Sequence, residues 1–553
     1  MFILARLFYI QVVWGKELQS RAIDQWTREL PLVARRGVIT DRNGVVLASN
    51  YQTYSVFIRG RSVTDANDVA KTLSSILDVD YDQLYSKIIN TNNSVLTVKK
   101  QVGSQDIERL RQYNLQGVYY SPDYARTYPY GKSLSQVLGY TSYDGMGLTG
   151  IEKVYDEYLK GYDGEILYEA DLVGKDIEGK NARYVPATNG LNVKLTIDYE
   201  IQSICDAVIE KAYNEYTPKS ASVLVMNPQN GQILAMTQYP CYDLNELPRD
   251  DVKLLNKLGR CSLVVDSYEP GSTFKILTAA ANIEEYLKGN PNAFSNDYVF
   301  NSSRYRYVDG KKIKCWSNHD NGKHSNENLA MALNNSCNPC FVDIALALGK
   351  EKMYEYIKAF GYGQCTGVDF QGEAIGMLLP ESAVKNGDLA RISFGQTIAV
   401  TPIQLACATA SAVNGGKYFS PYFVSEISDE YGKVAEVIKE KFVRRVISEE
   451  ASKILASYLE GVVENGSGKQ AYIEGYKIGG KTGTAQKYEN GVISQGKYVM
   501  SFIGFFPSNN PEYLALVIVD EPVGGQYGST VAAPLVKEIF QGIINCKNIG
   551  KYC

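Results

Sequence analysis

Apolar strand pairs stand at both ends of the C-terminal part of this chain, and one sheet can use them all only if those ends come together. Residues 222–227 and 232–237 flank the turn Pro228-Gln229-Asn230-Gly231, which is hairpin chemistry. Residues 498–505 and 513–519 form a second pair, joined through the proline-bounded stretch 507–511. A closing helix is expected at 533–544, where Leu535, Val536, Ile539, Phe540 and Ile543 share one face. Strands at both ends with helices between them predict an α+β domain, an antiparallel sheet flanked by helices and completed by the two ends of the region.

At 553 residues the chain exceeds the roughly 100–200 residues of one domain, so a second core is expected. Residues 17–183 read as strand-rich and extended, with Asn43-Gly44 as a hairpin turn. Helices are expected at 66–77, where Val69, Leu73, Ile76 and Leu77 have helical spacing, and at 150–159. Pro186 and Asn189-Gly190 mark a boundary. After it come a strand at 193–197 and a helix capped by Asp198 that carries Ile201, Ile204, Cys205 and Val208 on one face. The division expected is 15–187 and 188–546, with a short tail at 547–553.

A composition 45% hydrophobic and 21% charged is that of a folded protein. The net charge of -4 gives no basis for a nucleic-acid partner. Residues 1–14 are mostly apolar but interrupted by Arg6 and Gln11. That run is shorter than the roughly 20 residues that cross a bilayer, and it reads as the remnant of a membrane anchor.

Chemistry concentrates in three places. Pro270-Gly271-Ser272-Thr273-Phe274-Lys275 opens a helix, and its spacing puts a hydroxyl and an amine on one face beside the helix's free N–H groups. Ser336-Cys337-Asn338 follows, and then Lys481-Thr482-Gly483-Thr484 in a glycine-rich strand edge. Ser-x-x-Lys alone arises about once or twice by chance in a chain of this size; three motifs in this order do not. Ser272 reads as the nucleophile and Lys275 as its base, neutral because burial and the charge of Lys481 lower its pKa. Ser336 can pass a proton to the leaving amine, since a hydroxyl both donates and accepts. Asn338 offers an amide to the substrate backbone. Lys481, Thr482, Gly483 and Thr484 suit a terminal carboxylate, and the N–H groups of Ser272 and Thr484 suit an oxyanion.

This triad resembles the set shared by penicillin-binding proteins and class A β-lactamases. Beyond it, the chain is similar over nearly its whole length to class B penicillin-binding proteins, the monofunctional peptidoglycan transpeptidases, and most of all to their sporulation and division types. Arg36-Gly37-Val38-Ile39-Thr40-Asp41-Arg42-Asn43-Gly44, Arg126-Thr127-Tyr128-Pro129-Tyr130-Gly131 and Gly147-Leu148-Thr149-Gly150-Ile151-Glu152 look like the three signatures of that family's pedestal domain. The resemblance implies a serine β-lactamase-like transpeptidase domain behind an elongated pedestal, and peptidoglycan stem peptides as substrate. It further implies β-lactams as inhibitors, a membrane glycosyltransferase partner, and a single-pass anchor holding the catalytic domain outside the cytoplasm. Two other readings stay open: a D,D-carboxypeptidase or β-lactamase-type hydrolase that admits a deacylating water, and a β-lactam sensor or scaffold without turnover.

All ten cysteines lie in 205–553, and Cys315, Cys337 and Cys340 stand close to the only two histidines, His319 and His324. Cys315, His324 and Cys337 are the residue types of a structural zinc site, with Cys340, His319 or Asp320 as the fourth ligand. Free buried thiols are the plainer alternative. The serine chemistry itself needs no metal.

Overall fold

The computed structural model describes residues 27–90, 95–169, 183–319, 324–489, 492–525 and 527–551, with Arg6 and Tyr9. The rest of the expected anchor segment lies outside the described residues. Among those described, no helix is long and apolar enough to cross a membrane.

The two strand pairs do meet. β1 (Ser220–Met226), β2 (Ile233–Tyr239), β3 (Gly479–Glu489), β4 (Val492–Phe506) and β5 (Tyr513–Asp520) form one antiparallel sheet in the order β2-β1-β5-β4-β3. Val223 of β1 lies opposite Val517 of β5 in its centre, and both are fully buried. On one face, α1 (Tyr199–Tyr216) and α3 (Gly528–Cys546) bury Ile201, Cys205, Ile209, Val536, Ile539 and Phe540. Asp198 caps α1 through its carboxylate, as expected. On the other face lies α2 (Lys275–Leu287), buried along most of its length. β3 is an edge strand, so its outer backbone groups face no neighbouring strand.

The helix expected at 533–544 begins earlier, at Gly528. There a Cβ would stand 2.2 Å from Gly483 O, so only glycine lets the helix start abut β3 so closely.

The N-terminal region is less purely strand than its sequence suggests. Its long strand Val46–Arg59 pairs with Val95–Val102 and Val118–Thr127. The expected helix Ala66–Leu77, capped by Asp65, packs there with two unexpected ones, Tyr81–Asn90 and Ser104–Gln112. These two bury only Leu84 with Ile88 and Ile107 with Leu110, too short a periodic signal to stand out. The strand expected to open the second core, observed at Asn192–Leu195, instead pairs in parallel with Ile39–Thr40 and antiparallel with Val424–Ser428. It ties the two regions into one mixed sheet.

The helix expected at 150–159 is two short ones, Gly150–Val154 and Asp156–Leu159, divided at Tyr155. Arg36 explains the break. Its Nη2 donates to Glu152 O at 2.7 Å, occupying the carbonyl that a continuous helix would pair with residue 156. Its Nε donates to Glu152 Oε2 at 2.7 Å and its Nη1 to Asp156 Oδ1 at 2.6 Å. Arg126 Nε reaches Glu152 Oε1 at 2.7 Å, and Tyr128 OH lies 3.3 Å from the same atom. Arg36 of the first pedestal signature and Arg126 and Tyr128 of the second thus meet around Glu152 of the third, whose carboxylate is 0% exposed. Glu152→Ala leaves the buried Arg126 without its carboxylate and Arg36 with Asp156 alone, an expected loss of about 3–5 kcal/mol that chemical denaturation would register as a lowered midpoint.

Candidate active site

Ser272 lies in the tight turn Gly271–Phe274, which runs straight into α2. The turn has no side-chain cap, so the N–H of Ser272 remains for a ligand. Gly271, at φ +57°, donates to Gly395 O at 3.0 Å, and a Cβ there would lie 3.1 Å from Thr484 O. The turn is thereby pressed against β3.

Lys275 is 0% exposed. Its Nζ donates to Ser336 O and to Asn338 Oδ1, both at 2.7 Å, and lies 3.2 Å from Ser272 Oγ and 3.1 Å from Ser336 Oγ. A neutral amine has two N–H groups and one lone pair. The two short bonds to carbonyl oxygens use both donors, which leaves the lone pair to a serine hydroxyl. Burial pushes Lys275 down to about 8, against the opposing pull of Cys315, Cys337, Cys340 and Glu327.

Ser336 owes its place to the end of helix Leu329–Asn334. There the Cys337 N–H donates to Ala332 O at 2.9 Å, and Ser336 takes the left-handed φ of +54°. Glycine is the cheaper residue at such a helix end, and a serine there stores roughly 1–3 kcal/mol of strain in exchange for a placed hydroxyl. Lys481 Nζ, also 0% exposed, donates to Ser336 Oγ at 3.0 Å. Burial first, and then the charge of Lys275, hold Lys481 well below the usual lysine range. The chain Lys481–Ser336–Lys275–Ser272 is a continuous path for a proton.

β3 carries Lys481, Thr482, Gly483 and Thr484 along the free edge of the sheet. Thr482 Oγ1 lies 3.2 Å from Ser467 Oγ, and Thr484 Oγ1 accepts from Gly528 N–H at 3.1 Å. A Cβ on Gly483 would stand 2.3 Å from Ser501 Oγ. An extended peptide laid against this edge would find backbone partners as well as hydroxyls and an amine.

Behind Ser336, the ligand atoms of Cys315, His319, His324 and Cys337 lie within 4.8 Å of one another. Cys315 Sγ is 3.8 Å from His324 Nδ1, and Cys337 Sγ is 3.8 Å from His319 Nε2. Tetrahedral zinc with these donors has ligand atoms about 3.4–3.8 Å apart, so the four residues fit it. Of the three candidates for a fourth ligand, His319 joins this group. Cys340 turns instead to Glu327 Oε2 at 3.5 Å, and Asp320 lies outside the described residues. The sequence reading missed Glu327, a buried carboxylate 3.6 Å from His324 Nδ1 that also accepts from Asn335 Nδ2 at 2.7 Å. Nothing in its local pattern distinguishes it from a surface acid.

The family described as penicillin binding protein transpeptidase domain matches residues 221–541, and the penicillin-binding protein dimerisation domain matches 31–195. Stage V sporulation protein D of Bacillus subtilis is 39% identical over 540 residues, spanning 97% of this chain and 82% of that protein. The peptidoglycan D,D-transpeptidase FtsI of Escherichia coli is 27% identical, over 99% of this chain and 90% of its own. Among solved structures, a peptidoglycan synthetase from Bifidobacterium adolescentis superposes with a TM-score of 0.76 at 26% identity, covering 95% of this chain and 98% of the other. With a transpeptidase domain set behind a dimerisation domain, the chain belongs to the class B penicillin-binding proteins.

Proposed function

We propose that this chain is a peptidoglycan D,D-transpeptidase that works through an acyl-enzyme on Ser272. The observation that carries the reading is the hydrogen bonding of Lys275, whose two short bonds to Ser336 O and Asn338 Oδ1 leave its lone pair to a hydroxyl. Ser272 Oγ attacks the penultimate D-Ala carbonyl while its proton passes to Lys275 Nζ. The N–H groups of Ser272 and Thr484 hold the oxyanion. Ser336, supplied from Lys481, delivers a proton to the nitrogen as the peptide bond breaks, and terminal D-Ala leaves. The amine of a neighbouring stem peptide then attacks the ester and frees Ser272. Asn338 holds the donor backbone, and Thr482, Gly483 and Thr484 hold its terminal carboxylate. β-Lactams present the same carbonyl and carboxylate, and acylate the same serine.

Given a donor peptide ending in D-Ala-D-Ala and an acceptor amine, the protein is expected to yield the crosslinked product together with free D-Ala. Mass spectrometry showing only the shortened, uncrosslinked donor would make it a carboxypeptidase instead. The similarity to a sporulation protein supports a role in cortex or septal wall synthesis, alongside a membrane glycosyltransferase. In this reading a single-pass anchor holds the 15–187 pedestal and 188–546 catalytic domain outside the cytoplasm.

The serine chemistry of this family uses no cofactor. Cys315, His319, His324 and Cys337 would hold a structural zinc ion, which would brace the turn that carries Ser336. Elemental analysis is expected to find one zinc per chain, lost in Cys337→Ser; a metal-free protein of full activity would refute the assignment.

A further inference from the structure

Trp316 and Tyr527 are 57% and 48% exposed, yet their rings approach at a tilt of 59° with centroids 6.2 Å apart. They belong to opposite walls of the cleft. Trp316 stands in the wall of Ser336 and Asn338: its indole N–H donates to Asn335 O at 3.2 Å, and Lys314 O accepts from Asn338 Nδ2 at 3.3 Å. Tyr527 stands in the wall of β3, immediately before Gly528, whose N–H donates to Thr484 Oγ1. The walls meet at depth, where Lys481 bonds to Ser336, and again where these two rings approach.

The supports of Trp316 come from the Cys/His cluster. It follows Cys315 directly and lies edge-on to His324 with centroids 5.9 Å apart. Asn335, which holds its N–H, is itself held by Glu327 beside His324. We propose that Trp316 is a positioning residue that carries the state of this cluster to the cleft, closing an aromatic bridge on Tyr527 when Cys315, His319, His324 and Cys337 hold a metal ion. The inference rests on the zinc assignment above. With the metal bound, Cys315 and His324 share one rigid centre and the indole between them is fixed. Without it, Cys315 and His324 meet at 3.8 Å, too long for a strong hydrogen bond, and the indole keeps only its N–H bond to Asn335 O and a half-exposed ring pair.

Trp14, Trp26 and Trp316 are the three tryptophans of the chain, so Trp14→Phe with Trp26→Phe makes Trp316 the sole fluorophore. Acrylamide quenching of that protein is expected to rise about twofold on treatment with a chelator and to fall again on adding Zn2+, as a ring freed from its partner gains exposure. Tyr527→Ala, at a position outside the cluster, is expected to produce the same rise with zinc still bound. Trp316→Ala with its zinc retained is expected to take up benzylpenicillin roughly fivefold more slowly than wild type, because a wall of the cleft is no longer held in place. Failure to bind zinc overturns the metal assignment and the coupling with it. Zinc binding with quenching indifferent to chelation overturns the coupling alone. If chelation unfolds the protein, as circular dichroism would show, Tyr527→Ala decides: unchanged quenching there overturns the bridge.

Discussion

Incubated with benzylpenicillin, the Ser272→Ala protein is expected to show no covalent adduct by intact mass, whereas the wild type gains one long-lived equivalent. The variant removes the only hydroxyl at the start of α2 that lies within 3.2 Å of Lys275 Nζ. Ser336 Oγ is as close to that amine, at 3.1 Å, but it lies between two lysines on the opposite wall and away from the uncapped turn. Turnover of a peptide donor should fall by on the order of 10⁴–10⁶-fold, as when the nucleophile of other serine acyl-transfer enzymes is removed. An adduct that survives in Ser272→Ala would place the nucleophile elsewhere. A wild-type adduct lost within seconds would point to a hydrolase.

Lys275→Met should cost about 10²–10⁴-fold in the acylation rate, the usual contribution of a placed general base. Methionine fills similar space without an amine, so the loss reports proton transfer more than packing. The wild-type pH profile provides an independent check. Lys275 titrates near 8 because burial disfavours its charged form, and only the neutral form can accept the Ser272 proton. Acylation should therefore rise about tenfold per pH unit below 8 and level off above it, and Lys275→Met should flatten that limb. A rate that falls as pH rises through 8 would assign the protonated amine to the step, and Lys275 would then be an acid.

The approach of Ser272 to Lys275 was legible because the two, proposed above as nucleophile and base, lie three residues apart where one turn runs into a helix and local geometry alone makes them neighbours. The central sheet was legible for a similar reason, since β1, β2, β4 and β5 carry strong apolar runs in short hairpins. Signals failed where pairing partners were distant or apolar content was low. The strand Asn192–Leu195 has a clear alternating pattern, but the pattern is silent about its partners, Ile39–Thr40 and Val424–Ser428. The helix expected at 150–159 satisfied its periodicity and was broken by Arg36, a residue far away in the chain. His319 and His324 both sit at φ +59°, in a turn whose path no hydrophobic period describes, and so the grouping of His319, rather than Cys340, with Cys315, His324 and Cys337 waited on the fold.

What the sequence determined by itself was the inventory of reactive groups, their order, and the helix that aligns Ser272 with Lys275, all properties set within a few residues. The tertiary structure decided what those groups became. It placed Ser336, at the strained end of one helix, between two lysines drawn from a second helix and an edge strand, and it removed water from both amines. A lysine's basicity depends on the dielectric and the charges around it, and those belong to the packed molecule, so only the fold could lower Lys275 to about 8.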